Sequence, residues 1–341
     1  MSAETFSLTT ANVVDYIAER GLVDRGESLA VRELGGGVSN IVLLVEWPEA
    51  TRRWVVKQSL EKLRVQDDWR SERGRIYREA ESIQALRPLL GPEVLPEVIY
   101  IDRENYLFVM TAAPDGSVSW KESLLAGQVD LAVARQAGTL LAKMINASRE
   151  DAGLQKKFED RTVFDQLRID PYYRTTAKRH PDVRAALVQL MANSWNVQTA
   201  LVHGDYSPKN LLVRDGNIFL IDFEVIHWGD PAFDAAFLLN HLFLKSLHQP
   251  HFAPLYFAAA REFWKALAAE ARDAASRGFE VLTIRHLGAL MLARIDGKSP
   301  VEYIRDEETK ERVRAVAKRI LREQPQNLAS VMQIVRQSVD V

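Results

Sequence analysis

Residues 201–223, LVHGDYSPKNLLVRDGNIFLIDF, carry the densest chemistry in the chain, with Asp205, Asn210 and Asp222 set around two short apolar strands that an Asp215, Gly216 turn joins. Two carboxylates and an amide at that spacing suit phosphoryl transfer, which asks a protein for positioning and charge neutralisation and for little covalent chemistry. One carboxylate accepts a hydroxyl proton, while an amide oxygen and a second carboxylate hold Mg²⁺ on the phosphates. Asp205, Asn210 and Asp222 fit those roles in chain order. Taken singly each has a plainer role, Asp205 as a turn cap and Asp222 as a strand end. Their order and the flanking strands favour the catalytic set. His203 reads as a hydrogen-bonded brace of the loop, and Lys209 as either a solvated residue or a contact for transferring phosphate.

Upstream, Leu34, Gly35, Gly36, Gly37, Val38, Ser39, Asn40 separates two strand-like runs. Residues without Cβ let backbone N–H groups close on phosphate oxygens, although a plain hairpin turn is the alternative. Lys57 lies in WVVKQSL, and an apolar strand seldom turns a lysine inward without a partner. Glu79 in YREAES is the expected partner, Glu81 the competitor on another face, and two solvated side chains the remaining reading. Gly297, Lys298, Ser299 imitates the end of a P-loop, but Leu292 stands where the first glycine belongs and an apolar helix precedes it.

To position these groups the chain offers two kinds of segment. Val13, Val14, Ile17 and Ala18 recur at helical spacing before Gly21, predicting a helix over 10–20. Strands are predicted over 29–34, 40–47 and 53–59, a helix over 69–86 with Ile76, Ala80, Ile83 and Leu86 on one face, and strands over 97–101 and 106–110. After Pro114, Asp115, Gly116 the chain turns mostly helical, the hairpin excepted; Asp230 before Pro231 caps the helix that carries Asp234 on its first turn. The result is an α+β plan: residues 1–110 as a small antiparallel sheet with one main helix and an extra amino-terminal one, 111–116 as a linker, and 117–341 as a larger helical body, with a cleft expected at the joint.

The 341 residues suit two such lobes, and 47% hydrophobic content supports a substantial core. With 44 basic against 46 acidic residues, a formal charge of −2 gives no general attraction to nucleic acid or to an anionic membrane. Absence of cysteine excludes disulfides and thiolate metal sites and fits a reducing cytoplasm. MSAETFSLTT lacks the pattern of a secretory signal, and no apolar stretch is long enough to span a bilayer, so a cytoplasmic protein is expected. His241, His248 and His251 read as scattered helix-end residues in preference to a metal cluster.

Over 31–241 the chain resembles the aminoglycoside phosphotransferase and choline kinase superfamily, small-molecule relatives of the protein kinases. Residues 203–210 match the catalytic loop H-G-D-x-x-x-x-N, Asp222, Phe223, Glu224 match the metal motif D-F-E, and Gly229, Asp230, Pro231 and Asp234 match G-D-P-x-x-D. The resemblance implies a bilobal protein-kinase-like fold that uses ATP and Mg²⁺ to phosphorylate a small-molecule hydroxyl. It implies Asp205 as base, Asn210 and Asp222 as metal ligands, Lys57 held by Glu79 on the α/β-phosphates, and Asp234 as a brace beneath the catalytic loop. Gly35, Gly36, Gly37, Ser39 and Asn40 would cover the phosphates, and Met110, Thr111 and Ala113 would surround the base. The glycine run departs from G-x-G-x-x-G, which leaves Ser39 and Asn40 to supply contacts.

Acceptor pockets in that family draw on segments such as 161–180 and 224–245. The first, RTVFDQLRIDPYYRTTAKRH, sets Arg161, Arg168, Arg174, Lys178 and Arg179 against Asp165 and Asp170, the wrong balance for a polycationic aminoglycoside. A neutral or anionic alcohol such as a sugar derivative is expected, with Arg168, Tyr172, Tyr173 and Glu224 as candidate contacts; the alternative is that the basic residues face solvent. Tyr172, Tyr173 and Trp228 keep a choline-type aromatic cage open. ARIDGKSPVEYI and the charged helix after it resemble methylthioribose kinases, whose catalytic and metal motifs differ from those here, and no substrate is assigned on that likeness. A nucleotide-binding pseudokinase has nothing in its favour, since base, metal ligands and lysine are all present. A protein kinase would need a longer segment between Phe223 and Asp230 to dock a peptide.

Overall fold

The computed structural model describes residues 6–35, 39–48, 52–64, 69–271 and 277–339. It divides into two compact units, Met1–Asp115 and Gly116–Val341. The α+β expectation holds, with an antiparallel sheet in the first unit and mostly helix in the second.

In the first unit the strands are β1 (Ala30–Glu33), β2 (Asn40–Glu46), β3 (Arg53–Ser59), β4 (Val98–Asp102) and β5 (Leu107–Thr111), ordered β1-β2-β3-β5-β4. The helices are α1 (Val13–Glu19) and α2 (Arg75–Leu90). Strand side chains alternate between faces. Ile41, Leu43, Val45, Trp54, Val56, Leu107 and Val109 form one core with Val13, Tyr16 and Ile17 of α1. Since Val56 faces that core, Lys57 must face the other way, where α2 carries Glu79. The helix expected over 69–86 begins six residues late. Ahead of it, Ser71 N–H donates to the Glu61 carbonyl (3.2 Å) and Lys62 bridges to Arg70.

Asp102 fastens α1 to the sheet. Its carboxylate accepts the Tyr16 hydroxyl, Arg20 (3.2 Å), the backbone N–H groups of Glu104 (2.8 Å) and Asn105 (3.0 Å), and the Asn105 amide (2.9 Å). Burial alone would raise its pKa, but the donors from Tyr16, Asn105 and Glu104 hold it well below the usual carboxylate range. A depressed folded pKa contributes stability in full above the unfolded value of about 3.9, and the contribution is lost as the pH falls from there through the folded pKa.

In the second unit, α3 (Trp120–Leu125), α4 (Leu131–Ser148), α5 (Ala152–Phe158) and α6 (Thr162–Phe164) lead into wide π-type turns over Asp165–Arg174, then α7 (Thr175–Arg179) and α8 (Arg184–Asn196). Pro171 lies within those turns and supplies no N–H to a tighter ladder. A three-stranded sheet of β6 (Val118–Ser119), β8 (Leu211–Arg214) and β9 (Asn217–Leu220) and a pair of β7 (Ala200–Val202) with β10 (His227–Gly229) frame the motif region. Helices α9 (Ala232–His248), α10 (Ala253–Glu270), α11 (Arg277–Asp296), α12 (Glu307–Glu323) and α13 (Leu328–Val339) complete it. Side chains of α9 are buried all round as far as Leu247, which makes it the axis of this unit. Gly138 lets α4 press on α10: a Cβ there would lie 2.3 Å from the Phe263 carbonyl oxygen. No helix among the described residues is long and apolar enough to cross a membrane.

Asp102→Asn is expected to lower stability by about 1–3 kcal/mol at neutral pH. The gap from wild type should close as the pH falls below about 4, and urea unfolding between pH 7 and 3 measures both.

Candidate active site

Lys57 and Glu79 form a bidentate ion pair at 2.8 and 2.7 Å, and both are buried. Removing two such charges from water is costly, and their close pairing offsets part of that cost. The Ser82 hydroxyl donates to the Glu79 carbonyl (2.8 Å), closing the turn behind it. One turn before Glu79, Arg75 is 1% exposed and its guanidinium donates to the carbonyls of Ser39 (2.5 Å), Leu60 (2.7 Å), Ser71 (3.1 Å) and Glu72 (2.8 Å). It ties the stem after the glycine run to α2. The four-residue spacing from Glu79 was the available sign that Arg75 turns inward too. Ser39 and Asn40 are buried, with the Asn40 amide donating to the Ser39 hydroxyl (3.0 Å). Gly35 has open space around it, while Gly36 and Gly37 lie outside the described residues.

The linker differs in detail from expectation. Thr111 is still in β5, and its N–H is spent on the Glu97 carbonyl (2.9 Å), so it cannot donate to a base. Met110 is buried in the same strand. Ala113 is partly exposed and neither its N–H nor its carbonyl has a partner among the described residues.

The catalytic loop is built around Asp234 on the first turn of α9. This carboxylate, 0% exposed, accepts the N–H groups of His203 (2.6 Å) and Gly204 (2.9 Å). Burial lifts it to about 7 despite those donors. Gly204 has φ +78°, and a Cβ would sit 2.8 Å from the Val225 carbonyl oxygen, which is the physical reason for glycine between His203 and Asp205. Burial holds the His203 imidazole down at about 4, so it is neutral; Nε2–H donates to the Ile221 carbonyl (3.1 Å) and Nδ1 accepts the Asp205 N–H (3.2 Å).

The β8–β9 hairpin turns through Asp215 (φ 50°) and Gly216 (φ 77°) and pairs Leu211 with Leu220. Ile221 N–H then donates to the Asn210 carbonyl (3.1 Å), which sets Asp222 just beyond Asn210. The Asn210 amide nitrogen donates to the Asp205 carbonyl (3.0 Å), leaving its side-chain oxygen for another group.

Arg168 joins this loop instead of reaching solvent. It is 7% exposed, donating through Nε to the Gly204 carbonyl (2.5 Å) and through Nη1 to the Leu167 carbonyl (2.7 Å), with Nη2 3.2 Å from Asp205 Oδ2. Burial opposes its charge, but Asp205, Tyr172, Glu224 and Asp222 together hold its pKa above the ordinary value. Its guanidinium is therefore a brace for Asp205. Three other basic residues of 161–180 are also occupied, while Lys178 is exposed: Arg161 lies over the Trp195 ring, Arg174 pairs with Asp165 and Arg179 bonds the Asp296 carbonyl. Tyr173 is a core residue bonded to His286 (2.7 Å), and Trp228 is a β10 residue donating to the Gln198 carbonyl (3.1 Å). Tyr172 is buried, stacked on Phe237, with its hydroxyl met by Arg294 (3.2 Å). Glu224 is buried beside the loop. His241, His248 and His251 each face a different ring: Phe237, Tyr303 and Phe252.

A five-stranded antiparallel unit with a buried lysine–glutamate pair, and a helical unit with this loop and hairpin, define a small-molecule kinase of protein-kinase-like fold. Residues 30–272 match the phosphotransferase enzyme family, and the chain belongs to it. A methylthioribose kinase of Pectobacterium carotovorum subsp. carotovorum (strain PC1) is 26% identical over 284 residues, which cover 75% of this chain and 70% of that protein. Among solved structures, an ethanolamine kinase of Plasmodium vivax superposes with a TM-score of 0.59 at 12% identity, over 92% of this chain and 89% of its own. Amicoumacin kinase hAmiN does so with a TM-score of 0.57 at 14% identity, over 96% and 100%. Both share the fold.

Replacing Gly204 by alanine forces a Cβ against Val225 in a left-handed backbone and is expected to cost about 1–3 kcal/mol. Asp234→Asn turns an NH₂ toward one of two N–H donors at a similar cost of about 1–3 kcal/mol. Thermal unfolding of both variants, beside an exposed-site control, reads the loss.

Proposed function

We propose that the protein transfers the γ-phosphoryl group of ATP, with Mg²⁺, to a hydroxyl of a small alcohol of the sugar-derivative class. The observation that carries this reading is the Asp205–Asn210 loop. Asp205 keeps a side chain 21% exposed while Arg168 fixes one of its oxygens and the neutral His203 fixes its N–H. Such a carboxylate orients an acceptor hydroxyl and takes its proton as the bond to phosphorus forms. Asn210 fits a hard cation because its nitrogen is engaged and its oxygen is not, and the Asp222 carboxylate supplies a second oxygen ligand. When bound there, Mg²⁺ supplies neutralisation of the charge on the phosphates. Lys57, kept in place by Glu79, takes the α/β-phosphates, and the free backbone groups of Ala113 suit the adenine edge.

A sugar derivative is favoured by the 26% identity to a methylthioribose kinase. A choline-type cage is disfavoured, since Tyr172, Tyr173 and Trp228 are 4%, 1% and 3% exposed and their polar atoms are engaged. Asp205→Asn should lower ADP release with a panel of small alcohols, methylthioribose included, by about 10²- to 10⁴-fold. ATP affinity, measured by calorimetry, should stay nearly unchanged. Unaltered turnover in that variant, or lost ATP binding with transfer retained, would sink the role given to Asp205.

A further inference from the structure

Helix α9 carries Lys245 at 0% exposure, with no carboxylate within ion-pair reach among the described residues. Its ammonium makes one long contact, 3.4 Å, to the His241 carbonyl a turn earlier, and lies 5.0 Å from the Tyr303 ring. The Tyr303 hydroxyl and Arg294 Nε are buried and have no partner among the described residues. Arg294 otherwise donates to the Tyr172 hydroxyl, to the Ser299 carbonyl and to the Ser299 hydroxyl (2.8 Å). Lys121 is drawn to the catalytic loop by its backbone N–H, which donates to the Pro208 carbonyl (2.9 Å), and its ammonium pairs with the half-exposed Glu302.

These cations feel one another. Burial, then Lys245, Arg294, Lys121 and Lys209, push the His241 imidazole well below its ordinary pKa, so that it is neutral. Burial brings Lys245 down to about 7, with Lys121 and Arg294 adding to the fall and Glu302 opposing it. Like charges gathered away from water repel, and unsatisfied buried donors beside them need an explanation; an anion meets both needs. The cluster also shares a wall with Asp205. Arg168 lies over the rings of Tyr172 (5.5 Å) and Phe237 (5.6 Å), and Phe237 abuts His241 (5.6 Å).

We propose that Lys245, Arg294 and Lys121 form an anion subsite, and that the alcohol phosphorylated at Asp205 carries a carboxylate or phosphate seated on them. The second half rests on the kinase reading; the subsite itself does not.

The test titrates acetate and inorganic phosphate into the full-length protein at constant ionic strength, followed by calorimetry. Saturable binding is expected, weakened by about tenfold or more in Lys245→Met and in Lys121→Gln, and kept in Lys57→Met. Lys245→Met removes a buried charge and keeps the stem, and Lys121 is a quarter exposed, so both variants retain the fold. The ratio of acetate to phosphate affinity tells which anion the subsite prefers. No saturable binding, or binding unaffected by Lys245→Met, or loss confined to Lys57→Met, overturns the subsite. Turnover of glycerol against glycerol 3-phosphate and glycerate, and of ribose against ribose 5-phosphate, then tests the substrate class. Preference for the charged member by about tenfold or more, abolished by Lys245→Met, supports it, and preference for the neutral member overturns it. Absence of ADP release with every alcohol counts against the kinase reading, while the titration still judges the subsite.

Discussion

The geometry of the second unit depends on a buried carboxylate that holds two consecutive backbone amides. Asp234 receives the N–H groups of His203 and Gly204, and this fixes the peptide plane from which Asp205 departs. On the other side of the same residue, Arg168 draws the Gly204 carbonyl and reaches one Asp205 oxygen. The role proposed for Asp205, a carboxylate that meets an incoming hydroxyl, calls for such a fix, because small displacements of a reacting group cost large factors in rate. The chain supplies rigidity by hanging the loop from α9, its most deeply buried helix. Helix and loop are joined through a left-handed glycine that no larger residue could replace without meeting Val225.

The first unit solves a related problem with charge. Lys57 points away from the α1 core because strand alternation leaves it no choice, and there it meets Glu79 in the absence of water. A buried pair of this kind is weak evidence for stability and better evidence for a requirement that an ammonium stand at one place. Arg75, a turn before Glu79, spends four hydrogen bonds on backbone carbonyls and in doing so joins the glycine stem, the segment after β3 and α2 into one piece. Moving α2 would thus move both the partner of Lys57 and the segment that follows the glycines.

Legibility in the sequence tracks how local each feature is. The Asp215, Gly216 hairpin places Asn210 and Asp222 through a turn whose backbone demands those residue types, and β3 spans the 53–59 expected around its β-branched residues. The inward Lys57 was legible from an apolar strand that seldom holds a lysine without a partner and from Glu79 on the helix that follows. What failed to show was set by partners far along the chain. The expected start of α2 falls early because Trp69, Arg70 and Ser71 pair with Leu63, Lys62 and Glu61 instead of entering the helix, a choice that helical periodicity does not register. Arg168 looked like part of a basic acceptor surface. Around Pro171 the turns widen, and the side chain reaches Gly204 and Asp205 instead.

That displacement changes the basis on which the acceptor is judged. The basic excess of 161–180 was weighed as though it faced a ligand, but Asp165, Asp205 and backbone carbonyls absorb much of it. The cations that meet carbonyl and hydroxyl oxygens but no carboxylate among the described residues, Lys245 and Arg294, come from α9 and α11, and Lys121 joins them from α3 with Glu302 as its counter-charge. No window of sequence contains them together. A fold that needs Lys245 only for packing would gain by replacing it with methionine or leucine, because the desolvation of an unpaired ammonium is recovered when the charge is removed. Retaining it beside a second cation, under a tyrosine whose hydroxyl bonds to nothing among the described residues, makes sense when the opposite charge arrives from outside the chain. The same positive field would repel a polycationic acceptor, which moves the argument against one from 161–180 to these residues.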